Sequence, residues 1–112
     1  MSVRMEKAWR ALTPDNVAAL GGELGVYQLA DEKEQILRIG FAGGRSLFGL
    51  RGELLKALEE RHGHSVFFRI EINCQYQSRY EELLMVHKAD HGSLPAGNAF
   101  ENRRKIGRLS IG

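Results

Sequence analysis

The side chains best suited to chemistry fall into a few groups. His87 and His91 are four residues apart, a spacing that puts two imidazoles on one face of a helix. Such a pair can hold zinc once further ligands complete its shell, and otherwise serves a structural or surface role. Asp90 lies off that face, and Cys74 precedes the helix. His62 and His64 could meet one metal or simply cap a helix end. Glu81 and Glu82 are adjacent carboxylates. If Ser78 is an N-cap, Glu81 stands three residues later and SRYE is a capping box, which leaves Glu82 for chemistry. If the helix begins nearer Gln75, the two are equivalent candidates.

Arg38, Arg45 and Arg51 form a cationic series. Arg51 falls early in an expected helix, where a positive charge opposes the helix dipole, so helix stability does not account for it. It could neutralise a phosphate, pair with a carboxylate, or only solubilise the surface. The loop FAGGRS lacks the glycine spacing of a dinucleotide fold and lacks the P-loop lysine, and no HExxH is present. The tail from Glu101 carries Arg103, Arg104, Lys105 and Arg108 against Glu101, a basic patch that could meet phosphates or stay solvated.

These residues need elements to position them. Thr13, Pro14 and Asp15 are start signals for a short helix that Gly21 and Gly22 end. Residues 25–30, with strand-favouring Val26 and Tyr27, and residues 35–41, with apolar Ile36, Leu37, Ile39 and Phe41, read as two strands of a hairpin across the charged DEKEQ connection. Leu47, Leu50, Leu54, Leu55 and Leu58 recur mostly at helical spacing, with Ser46 as the expected N-cap. Residues 65–72 form a third strand, apolar on both sides around Phe67 and Phe68 and therefore expected to be central. Residues 78–91 form a second substantial helix stopped by Gly92, and Pro95, Gly97 and Asn98 mark a loop.

Composition sets the outer limits. The 112 residues fit one domain, and 43% hydrophobic with 27% charged residues is ordinary for a globular protein. The lone Cys74 excludes an internal disulfide framework and a four-Cys zinc knot, and makes a reducing, cytoplasmic setting the expectation. No apolar run approaches the length of a membrane span, so no membrane partner is expected. The net charge of +2 is nearly balanced, so any nucleic-acid surface must come from placement rather than from total charge.

Gly25-Val26-Tyr27, followed after ten residues by Arg38-Ile39-Gly40, resembles the paired signature of the GIY-YIG nuclease superfamily. FAGGRSLFGLRGEL looks like that family's stretch leading to its active-site arginine, YEELLMVHKA stands where its metal-binding glutamate lies, and LPAGN is similar to its Pro-Asn ending. The resemblance covers about residues 24–98 of a single domain spanning 1–112 with a basic tail.

It implies an α/β (α+β) fold, a small three-stranded antiparallel sheet flanked by helices. It also implies a metal-dependent endonuclease hydrolysing DNA or RNA. Tyr27 would activate water, and Arg51, or less naturally Arg45, would stabilise the phosphate. Glu82 or Glu81 would hold Mg²⁺ or Mn²⁺. Gly25, Gly40 and Asn98 would support the site. Anchoring instead on the Pro-Asn ending puts His87 near the usual glutamate position.

Arg38 replaces the second tyrosine and cannot supply its hydroxyl, although it could bind phosphate, as could Arg45, Arg103, Arg104 and Lys105. The rival reading is a non-catalytic domain of the same fold that binds nucleic acid or a protein partner. The sequence does not specify an oligomeric state.

Overall fold

A computed structural model describes residues 4–60 and 64–98. The elements run β1 (Arg10–Ala11), α1 (Pro14–Ala18), β2 (Gly25–Ala30), β3 (Ile36–Ala42), α2 (Gly49–Glu60), β4 (Phe67–Ile72) and α3 (Tyr76–His91). The strands form one antiparallel sheet in the order β1-β4-β2-β3. This corrects the expected three-stranded sheet. The extra strand pairs Arg10 with Phe68 and Ala11 with Phe67, and the Leu12 N–H extends it by donating to Val66 O at 2.8 Å. Two residues are too few to show strand periodicity, so this pairing arises only because β4 presents an edge for the chain to meet.

β2 is the central strand of the hairpin and β4, and all six of its residues are buried. Tyr27 lies opposite Gly40 on β3 and Ile70 on β4, while Val26 lies opposite Phe41 and Glu71. Because strand side chains alternate between faces, Tyr27, Leu29, Ala42 and Phe68 join Leu50 and Leu54 of α2 in one core, with Val17 of α1. Val26 and Ile39 join Met5 and Leu83 in the other, against α3. β4, expected to be central, is flanked by β2 on one edge and by the two-residue β1 on the other.

Helix starts differ informatively from expectation. α1 begins as anticipated: Thr13 Oγ1 accepts from the Asn16 N–H at 3.2 Å, and Pro14 occupies the first turn. α2 starts at Gly49 rather than Leu47. Ser46 does not cap it; its Oγ accepts from the Gly43 N–H at 2.9 Å and closes the preceding turn. Phe48 and Gly49 then take consecutive left-handed conformations, with φ of 64° and 58°, which interrupts any helix from Leu47. Glycine is needed at 49, where a side chain would collide with the Gly22 and Glu23 carbonyls. α3 starts at Tyr76, so Ser78 is inside the helix and SRYE is not a capping box. Asn73 Oδ1 instead accepts from the Gln75 N–H at 2.8 Å. No helix among the described residues is long and apolar enough to cross a membrane.

Candidate functional site

The sheet divides the candidate residues between its two sides. Tyr27 is only 4% exposed, in the core shared with α2. Its ring lies over Gly40, where a Cβ would overlap the ring atoms, so glycine at 40 makes room for tyrosine at 27. Arg51 lies on α2, on the same side of the sheet as Tyr27, and is half-buried. Its backbone N–H donates to Gly21 O at 3.2 Å, tying the first turn of α2 to the segment before β2. Gly25 pairs with Ala42 and Ile72, where a side chain would strike the Glu71 carbonyl.

Glu81 and Glu82 lie on α3, which packs against the opposite face. Glu82 pairs with Arg79, and Arg79 Nε also donates to Glu71 Oε2 at 2.8 Å. Glu71 is opposite Val26, so its register places it on the face away from Tyr27. Burial pushes the Glu71 carboxyl up, but hydrogen bonds from Arg79 and Asn73 outweigh it and hold the group below its ordinary value. Glu81 is exposed on α3. Tyr27 and Arg51 are therefore brought to one side, and the two glutamates to the other. Among the described residues, no group of three or more His, Cys, Asp or Glu side chains is arranged to hold a metal ion. Glu81 and Glu82, the expected Mg²⁺ or Mn²⁺ ligands, are thus on the far side of the sheet from Tyr27.

The outer edge of the hairpin is closed by the C-terminal loop. Asn98 is 1% exposed; its Oδ1 accepts from Ile39 N–H and its Nδ2 donates to Ile39 O, both at 2.7 Å. The side-chain amide thus pairs with β3 as another strand would, satisfying two groups that a free sheet edge would leave open. Arg38 joins the same closure, with Nη1 donating to Gly97 O at 2.9 Å. Arg45 is exposed in the loop between β3 and α2.

The chain runs collect at one end of the sheet: residues 21–24 before β2, 43–48 after β3 and 73–75 after β4. Leu24, Leu47, Phe48 and Ile72 are all exposed there, at 36%, 70%, 59% and 62%. Sequence reasoning placed Leu47 inside α2; the left-handed residues at 48 and 49 push it and Phe48 out instead. At the other end, Asp31, Glu32, Lys33, Gln35, His64 and Val66 line an open hollow that takes in none of the expected site residues. Sequence reasoning also missed the Glu71–Arg79–Glu82 cluster. Arg79 and Glu82 are three apart on a helix and therefore legible as a pair, but Glu71 joins them only through the sheet register.

His87 and His91 do come together, with ring centroids 4.4 Å apart. His87 Nδ1 donates to Ser93 O at 2.9 Å. Burial lowers the His87 pKa, the Ser93 hydrogen bond works the other way, and His91 adds to the lowering. Asp90 is held by Arg4, whose Nε and Nη2 donate to its two oxygens at 2.9 and 2.6 Å. His62 and the tail residues Arg103, Arg104 and Lys105 lie outside the described residues.

A family model described as Domain of unknown function (DUF7508) matches residues 1–90, and the chain belongs to that family. No curated protein and no solved structure matches the chain.

Proposed function

We propose that this chain is a GIY-YIG-related domain with a four-stranded sheet that has no nuclease chemistry and binds a protein partner. The observation that carries the reading is the division of the candidate catalytic set: Tyr27 and Arg51 lie on one side of the sheet, with Glu82 committed to Arg79 on the other. A single-metal phosphoryl mechanism needs its metal ligand and its water-activating group around one phosphate. Arg38, in place of the second tyrosine, binds Gly97 O and supports the fold. The relation to GIY-YIG domains draws support from GVY on the central strand, RIG on its hairpin partner, and Arg51 on the helix that follows.

The loop end of the sheet supports a protein as the partner. Four large apolar side chains exposed together are unusual on a free surface and mark contact surfaces. Phe48 is held outward by a left-handed backbone that a bulky residue adopts only under strain. Such a surface suits an apolar protein patch better than a phosphate backbone.

Two experiments test this reading. Purified protein is incubated with single-stranded, duplex and branched DNA and with RNA, with and without Mg²⁺ or Mn²⁺; no metal-dependent cleavage is expected. Cleavage lost in both Tyr27→Phe and Arg51→Ala would overturn the proposal in favour of a nuclease. A photoreactive phenylalanine analogue placed at position 48 should crosslink to protein in cells, and Ile72→Ser should diminish that product. Crosslinks to nucleic acid instead would reassign the surface.

A further inference from the structure

We propose that His87 and His91 form a two-imidazole binding site, at the C-terminal end of α3, for a borderline divalent transition-metal ion such as Zn²⁺, Ni²⁺ or Cu²⁺. The inference is independent of the binding function above. It rests on three features of the helix end.

The first is proximity. The rings lie 4.4 Å apart between centroids and are inclined at 35°, on residues one helical turn apart. The second is orientation. A carbonyl oxygen can only accept, so the 2.9 Å contact between His87 Nδ1 and Ser93 O fixes the proton on Nδ1. The other nitrogen, Nε2, then carries the lone pair that a metal ion can take. A backbone carbonyl holding one ring nitrogen while the other faces the ion is the usual arrangement around a metal-bound histidine.

The third is the local field. Both histidines lie in the last two turns of α3, where the closing carbonyls give the helix a partial negative charge that favours a cation. Gly92 ends the helix in a left-handed conformation, with its N–H on Lys88 O at 2.7 Å. Asp90, the carboxylate on this helix end, is held by Arg4, so the donors that the described residues offer here are the two imidazoles, with water to complete the shell. Imidazole donors with solvent suit zinc, nickel and copper and disfavour magnesium, which prefers oxygen ligands.

The test uses the full chain and the metal alone. Zn²⁺, Ni²⁺, Cu²⁺ and Mg²⁺ are titrated at neutral pH by calorimetry, with thermal unfolding followed in parallel. One equivalent of each transition metal should bind saturably and raise the unfolding temperature with concentration, because the ion binds the folded chain. Magnesium should do neither. His91→Gln alters an exposed residue and should fold normally, yet weaken binding about tenfold or more. A His62→Ala, His64→Ala double variant should bind as the parent does. With Cu²⁺ bound, electron paramagnetic resonance should show coupling to two nitrogens, reduced to one in His91→Gln. Undiminished affinity in His91→Gln, loss of binding in the double variant, or no saturable binding of any transition metal would each overturn the proposal.

Discussion

The two faces of the central sheet achieve burial by different means. On the α2 side, Tyr27, Leu29, Leu50, Leu54 and Phe68 make a continuous apolar core. On the α3 side the buried apolar residues are fewer, Met5, Val26, Ile39 and Leu83, and polar side chains complete the surface. There Arg69 Nε donates to Gln28 Oε1 at 2.6 Å and its guanidinium lies 4.1 Å from the centre of the Trp9 ring. Arg79 joins Glu71 to Glu82, and Asn98 stands in for a strand on Ile39. One face tolerates any well-fitting apolar set, whereas the other depends on particular donors meeting particular acceptors. The candidate catalytic residues were divided between these two environments, and that division argues against a shared active site.

The comparison can be broken most severely on the apolar side. Phe68 is fully buried, and Phe68→Ala should cost about 3–5 kcal/mol, read from the midpoint of chemical unfolding. On the α3 side the largest effect should come from Asn98→Leu. It keeps the volume but leaves the Ile39 N–H and C=O without partners, at about 1–3 kcal/mol for each group. If Asn98→Leu proved neutral, the polar side would be as permissive as the apolar one.

Arg79→Met should be milder, about 1–2 kcal/mol at neutral pH, because the Arg79–Glu71 pair is only partly screened from water. Its pH dependence is the sharper readout. The Glu71 carboxyl is held below its ordinary value of 4.5 in the folded chain, so its contribution is present above that value and is lost as pH falls through the lower folded value. The parent should therefore lose stability more steeply than Arg79→Met on acidification below about pH 4.5. Equal slopes would show that the cluster contributes no linked stability. The smallest effect belongs to Arg4→Ala. Its pair with Asp90 is at the surface, and thermal unfolding in ordinary salt should barely change.

Much of the architecture was legible because it follows local rules. The strand propensity of Val26 and Tyr27 in GVYQLA and the capping pattern of TPDN appear as β2 and α1. The sequence missed β1, whose two residues show no pattern of their own and join the sheet only because β4 offers an edge. It also misplaced the start of α2. The leucine spacing from Leu47 is helical, but left-handed residues 48 and 49 turn Leu47 and Phe48 out to solvent. For the candidate site, spacing alone brought His87 and His91 together, since both lie on one helix. Spacing could not say that Tyr27 and Glu82 face opposite ways, because that depends on how β2, β4 and α3 are layered.

The sequence by itself determined β2, β3 and β4, the two long helices and the pairing of the histidines. Each of these follows from contacts within a few residues, whose geometry is set by the period of a strand or a helix. Tertiary structure alone decided the rest. It added the fourth strand, placed Asn98 against the edge of β3, exposed the apolar loop end, and put a whole sheet between Tyr27 and the glutamates of α3. In each case the deciding partner lies far away in the chain, and only sheet register and the packing of α2 and α3 on opposite faces select it.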